Sequence, residues 1–177
     1  MAKLISKTYG DALFDVALED GTMDALTEEV QTLSKVFKEN EELSRFISHP
    51  KVSKTDKIQM IEHVFKGRFS DTLVGFLVLI IDKGRYQEIF SIMEYYMDRV
   101  REHKKIGVVW VTSALTLSKK QQEKIKQSLL ATTQYNKLQI QYTVDKTILG
   151  GLIIRIKDRV VDNSIRSQIK AMTKAVI

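Results

Sequence analysis

The chain has 177 residues, 44% of them hydrophobic and 28% charged, enough to bury a core and far from the composition of a disordered protein. It contains no cysteine, which excludes disulfides, thiolate metal sites, iron–sulfur clusters and a cysteine nucleophile. Lys and Arg total 28 against 22 Asp and Glu, a formal net charge of +6 that permits attraction to nucleic acid, anionic lipid or an acidic protein without choosing among them.

The start, Met1-Ala2-Lys3-Leu4, lacks the apolar run of a secretory signal and reads as an unprocessed cytoplasmic N-terminus. The pattern is then helical as far as about Lys105. A first helix is expected from about Leu4 to Glu19, with Ile5, Tyr9, Ala12, Leu13 and Val16 forming its buried stripe and Gly21 ending it. A second runs from about Thr22 to Glu39 on the seam Met23, Leu26, Val30, Leu33 and Phe37. A short helix carrying Leu43, Phe46 and Ile47 must stop before Pro50, the only proline. Ser53-Lys54-Thr55-Asp56 has the form of a capping box for a fourth helix that buries Ile58, Ile61, Val64 and Phe65. Ser70 is placed to cap a fifth, Asp71 to Asp82, which is apolar almost all round and either sits centrally or lends a face to a partner. Its apolar run, Leu73 to Ile81, is half the length that spans a bilayer, so no direct membrane insertion is expected. A sixth helix, about Tyr86 to His103, buries Ile89, Met93, Tyr96 and Val100.

Beyond Ile106-Gly107 the texture changes. Val108 to Val111 reads as a strand, Ser118 caps a charged helix from Lys119 to about Gln134, and Leu138 to Val144 alternates with period two. Leu152, Ile154 and Ile156 alternate again, and Ser164 to Val176 reads as a closing helix. The predicted fold is mainly α: an N-terminal six-helix bundle over residues 1–105 and a small α/β domain over 106–177.

No catalytic constellation is legible. His49, His63 and His103 lack metal-ligand spacing and read as surface or capping residues, so neither a metal nor a cofactor is expected. Gly150-Gly151 lacks the flanking residues of a phosphate loop and reads as a turn between strands. The acidic pairs Glu28-Glu29 and Glu41-Glu42 read as polar-face or helix-start residues. The basic clusters are interrupted by acids and form no stripe interleaved with aromatics, so the rival reading, a basic helical nucleic-acid-binding protein, has only the net charge behind it.

Two segments carry a family resemblance. Tyr9-Gly10-Asp11-Ala12-Leu13-Phe14 is similar to the opening helix of the delta subunit of F-type ATP synthases, whose mitochondrial counterpart is the oligomycin-sensitivity-conferring protein. Asp145, then Leu149-Gly150-Gly151-Leu152 to Ile156, then Val160-Val161-Asp162-Asn163-Ser164-Ile165 resembles that family's C-terminal signature. Gly10 departs from the family's usual alanine, at an expected cost of about 1 kcal/mol in helix propensity. Asn163 replaces a common glycine and is expected to adopt the left-handed turn in its stead.

The resemblance implies a non-catalytic peripheral-stalk, or stator, subunit at the cytoplasmic face of the cell membrane. It implies one copy in a hetero-oligomeric complex, resisting rotor torque during proton-driven ATP synthesis. The partners it implies are the N-terminal helix of an alpha subunit for the helical domain and the C-terminal end of the b subunit for the second. The expected groove for the alpha helix lies on the first and fifth helices, with Tyr9, Ala12, Val16, Phe76 and Ile80 as candidates. Gly150, Gly151, Asp162 and Ser164 read as structural, the glycines for close backbone approach and Asp162 or Ser164 for the last helix's N-terminus.

Overall fold

Serines punctuate the helices, because a hydroxyl at the N-cap accepts one of the amide hydrogens that the first turn leaves unpaired. In the computed structural model, which describes residues 2–175, the Ser53 hydroxyl accepts from the Asp56 amide and opens α4 (Lys54–Phe65). The Ser70 hydroxyl accepts from the Leu73 amide and opens α5 (Asp71–Asp82). Ser118 and Gln121 form a complete capping box ahead of α7 (Lys119–Thr132). The other helices are α1 (Ala2–Glu19), α2 (Met23–Glu39), α3 (Glu41–Ser48), α6 (Ile89–His103) and α8 (Ile165–Ala175). A 3-10 turn, Tyr86–Glu88, precedes α6, where the sequence suggested unbroken helix. Val176, which the sequence placed in the last helix, lies outside the described residues.

The described residues fall into two compact units divided between Val100 and Arg101, and the chain is mainly helical with one small sheet. In the first unit, α2 buries Met23, Leu26, Val30, Leu33 and Phe37 as its periodicity required. α5 adds Leu73, Val74, Leu77, Ile80 and Ile81, and α6 adds Ile89, Ile92, Met93, Tyr96 and Val100 to the same core. On α4 the buried residues are Ile61, Phe65 and Lys57, with Ile58 and Val64 only partly covered. Lys57 lays its stem through the core and holds its ammonium 3.5 Å from the centre of the Tyr86 ring.

α1 departs from expectation. Its buried face is Ser6, Gly10, Leu13, Phe14 and Ala17, while Ala12 and Val16 are exposed. The reason is a close seam with α6. The Ser6 hydroxyl donates to Ser91 at 2.8 Å, the Tyr95 hydroxyl donates to Asp11 at 3.1 Å, and Asp11 pairs with Arg99 at 3.3 Å. A Cβ on Gly10 would run into the Tyr95 ring, so the glycine's weak helix propensity is offset by packing that alanine could not make. Gly21, at φ +65, ends α1 as predicted, with the Thr22 amide returning to the Ala17 carbonyl at 3.0 Å.

The second unit holds a four-stranded sheet in the order β2-β1-β3-β4: β1 (Ile106–Ser113), β2 (Lys137–Val144), β3 (Leu152–Ile156) and β4 (Arg159–Asp162). β1 runs parallel to β2 through the crossover helix α7 and antiparallel to β3, which pairs antiparallel with β4. Gly107, Val109, Val111 and Ser113 point to the covered face, and the Tyr142 hydroxyl ties β2 to α7 by donating to the Gln122 carbonyl at 3.2 Å. This core is thin: Val109, Val111 and Ile148 are its only fully buried hydrophobics among the described residues.

Candidate functional site

The two helices expected to face a partner each divide their residues between core and solvent. On α1, Ile5 and Tyr9 are partly buried against the core while Ala12 and Val16, one and two turns further along the same strip, are open to solvent. On α5, Phe76 is partly buried and Gly75 and Leu79 are exposed. Ile80 is 0% exposed and fills the core, so it presents no surface to a partner. Its neighbour Leu79, 44% exposed, occupies the outward position, which follows from the 100° step between successive helical residues. Sequence alone could not separate them, since α5 is apolar on nearly every face.

At the other end of the chain the glycine–aspartate–serine signature assembles into one local structure. Gly151 has φ +78, and a Cβ there would strike the Asn163 carbonyl oxygen. The Asn163 amide donates to the Leu152 carbonyl at 2.9 Å and the Ile165 amide to the Gly150 carbonyl at 3.0 Å, stitching the glycine turn to the start of α8. Asn163 itself is not left-handed; Leu149, at φ +66, and Gly151 take the positive φ values instead. The Asn163 side chain accepts from Gln168 at 3.0 Å.

Asp162 and Ser164 divide the work of opening α8. The Ser164 hydroxyl accepts from the Ser167 amide at 3.2 Å, and Asp162 accepts from the Ser167 hydroxyl at 2.6 Å and the Ser164 amide at 2.9 Å. These hydrogen bonds, that of the Ser167 hydroxyl foremost, hold the Asp162 carboxyl below the usual carboxylate range. Asp145 is lowered in the same way by the side chain and amide of Thr147, whose amide it accepts at 2.9 Å. Both acids are thus engaged with their own chain's amides and hydroxyls, as structural carboxylates are.

His49, His63 and His103 are exposed and lie far apart in sequence. Among the described residues no group of three or more His, Asp or Glu is gathered to hold a metal, and no helix is long and apolar enough to cross a membrane. Sequence reasoning missed Glu29, treated as a polar-face residue. Its carboxylate accepts from the Ser70 amide at 3.1 Å and the Ser70 hydroxyl at 2.6 Å, fastening α2 to the start of α5.

The chain is thus mainly helical with a small mixed sheet, and it leaves apolar side chains such as Val16, Leu79, Ile169 and Met172 exposed. The family model described as ATP synthase delta (OSCP) subunit matches residues 5–176. A relative described as ATP synthase subunit delta from Lachnoclostridium phytofermentans is 54% identical over 98% of this chain and 96% of its own length. Another so described, from Halalkalibacterium halodurans, is 31% identical over 98% of this chain and 94% of its own. The fold also matches a chain in the cryo-EM structure of the Toxoplasma gondii mitochondrial ATP synthase hexamer, with a TM-score of 0.74 at 16% identity over 97% of this chain and 96% of that one. This chain belongs to the ATP synthase delta (OSCP) subunit family.

Proposed function

We propose that the chain is the non-catalytic peripheral-stalk subunit of an F-type ATP synthase. It sits as a peripheral component on the cytoplasmic side of the cell membrane, one copy to a complex. The helices of residues 1–105 act as a six-helix bundle that takes the N-terminal helix of an alpha subunit against α1 and α5. Residues 106–177 hold the C-terminal end of the b subunit. The task is mechanical: while the rotor turns under proton flow, the catalytic head must stay still for rotation to become conformational change at the nucleotide sites.

The observation that carries this reading is the end-to-end match to delta subunits, 98% of this chain against 96% of the relative at 54% identity. Ala12 and Val16 on α1 and Gly75 and Leu79 on α5 are exposed, with the half-buried Tyr9 and Phe76 on the same two helices, and on this reading they are the positions an amphipathic helix would cover. Membrane vesicles stripped of the endogenous subunit test it. Adding the purified chain back restores coupled ATP synthesis, and a Val16→Asp variant restores it poorly while binding a synthetic alpha N-terminal peptide weakly. Full coupling in the stripped vesicles overturns the proposal.

A further inference from the structure

The sheet of the second unit has two edges, and they are guarded differently. β4 is four residues long and carries a charge at each end, Arg159 and Asp162. β2 is eight residues long, contains no proline, and pairs with β1 without a bulge from Ile106 opposite Lys137 to Ser113 opposite Val144. Its only charged residue is Lys137, at its start. Proteins ordinarily blunt a long edge with a proline, a bulge or a charge, because its unpaired amides and carbonyls are a template for another strand. The ladder identifies those groups in β2. The Lys137 amide donates to the Lys105 carbonyl at 3.4 Å and the Asp145 amide to the Ser113 carbonyl at 2.8 Å, so the odd-numbered residues turn their backbone toward β1. The amides and carbonyls of Leu138, Ile140 and Tyr142 therefore face outward, and among the described residues no backbone group pairs with them.

The side chains of the same three residues form the floor of an open groove of about 420 Å³, whose wall is α7 with Lys119, Glu123 and Lys126. The Tyr142 hydroxyl donates to the Gln122 carbonyl, which sets the start of α7 beside the end of β2. Lys119 thus lies toward Tyr142, and Lys126 lies further back, toward Leu138. Glu123 stands 4.0 Å from Lys126 and offsets part of its charge, but α7 as a whole carries four lysines to one glutamate. We propose that β2 is a strand-addition site for an extended acidic segment of a partner protein. The segment pairs antiparallel with the outward backbone groups and sends alternate side chains into the groove, an apolar one against Ile140 and an acid on either side of it toward Lys119 and Lys126. The site lies outside the α1 and α5 groove and does not rest on the stalk reading. A second copy is the poorer occupant on local grounds. Its β2 offers no acid to these lysines, and two β2 edges joined about a two-fold axis would set both α7 helices on one face, lysines toward lysines.

The probe is the peptide Thr-Glu-Thr-Val-Thr-Glu-Thr, blocked at both ends, whose glutamates and valine share one face when extended. Amide proton–nitrogen correlation spectra of the full-length chain, titrated with it, show shifts that peak at Leu138, Ile140 and Tyr142, and hydrogen exchange slows at the same amides. Methylating the valine nitrogen removes a ladder hydrogen bond without changing the peptide's charge. Lys119→Glu/Lys126→Glu reverses the charge of the wall and leaves the melting temperature at the wild-type value, since both residues are exposed. Each change weakens binding at least about tenfold. No shift at those amides up to millimolar peptide overturns the proposal. Undiminished binding of the methylated peptide would mean a contact of charges without strand pairing, and undiminished binding by the lysine variant would mean pairing without preference for acids; either result overturns it. A concentration-dependent dimer whose β2 amides are protected without peptide assigns the edge to a second copy and overturns it as well.

Discussion

Leu79 and Ile80 are adjacent on α5 and chemically near-identical, yet one is 44% exposed and the other 0%. Replacing each with aspartate separates partner surface from core. At Ile80, deleting the side chain to alanine size alone costs roughly 2–5 kcal/mol. The carboxylate adds to this by entering a site lined with apolar side chains. The sum exceeds about 4 kcal/mol, a large part of the roughly 5–15 kcal/mol that stabilises a whole domain. At Leu79 about half of the side chain is already in water, so the lost burial is on the order of 1 kcal/mol. An acid in the last turn of a helix adds about 0.5 kcal/mol against the helix dipole. Thermal melts followed by circular dichroism, with fluorescence titration of an alpha N-terminal peptide, measure both effects. Ile80→Asp loses the cooperative transition of the first unit and peptide binding together. Leu79→Asp melts within about 10 °C of wild type but binds the peptide at least about tenfold more weakly. Unchanged affinity in a folded Leu79→Asp variant removes α5 from the groove, and wild-type melting of Ile80→Asp refutes the packing argument itself.

Three other perturbations bear on single elements. Gly10→Ala gains about 1 kcal/mol of helix propensity but forces the Tyr95 ring aside, at a cost of about 1–3 kcal/mol, so urea denaturation shows net destabilisation that reverses to a gain in a Tyr95→Ala background. Lys57→Met stays within about 1 kcal/mol of wild type because its stem volume is kept, while Lys57→Ala loses about 2 kcal/mol or more; equal losses would show that the ammonium over Tyr86 matters more than the stem. Because the folded-state pKa of Asp162 is depressed, its stabilising contribution is present above the unfolded carboxylate value and disappears as pH falls through the lower folded one. Acid titration of the second unit's melting is accordingly shallower in an Asp145→Asn/Asp162→Asn variant, and parallel wild-type and variant profiles would contradict the capping roles.

What the sequence disclosed depended on how buried positions were filled. α2 was legible because every residue of its seam is large and apolar. α1 was misread by one step around the helix because its tight face uses Ser6, Gly10 and Ala17, small residues that contribute little to an apolar periodicity but permit close approach to α6. Lys57 was invisible as a core residue since its partner, the Tyr86 ring, is supplied by a distant turn. In α5 periodicity could not order the faces, so Ile80 and Leu79 were interchangeable on paper. β4 has only four residues, too few for an alternation to register. At the signature, the residue types were readable and the geometry was not. The need for glycine at 151 comes from the Asn163 carbonyl packed above it, a contact between segments twelve residues apart.

The two units solve their burial problem differently, and the proposed connector inherits that difference. The first completes one large core from α1 through α6, so the partner contact proposed for it would be an addition to an already stable structure. Among its described residues the second fully encloses only Val109, Val111 and Ile148 as hydrophobic side chains and leaves Ile165, Ile169 and Met172 to solvent, so anything that covers them would support its own fold. In the proposed assembly with two partners, the one that stays bound keeps the released unit at high effective concentration near its site, so rebinding outpaces escape. The proposed stalk role then requires neither contact to be permanent, only that the two do not fail under the same condition.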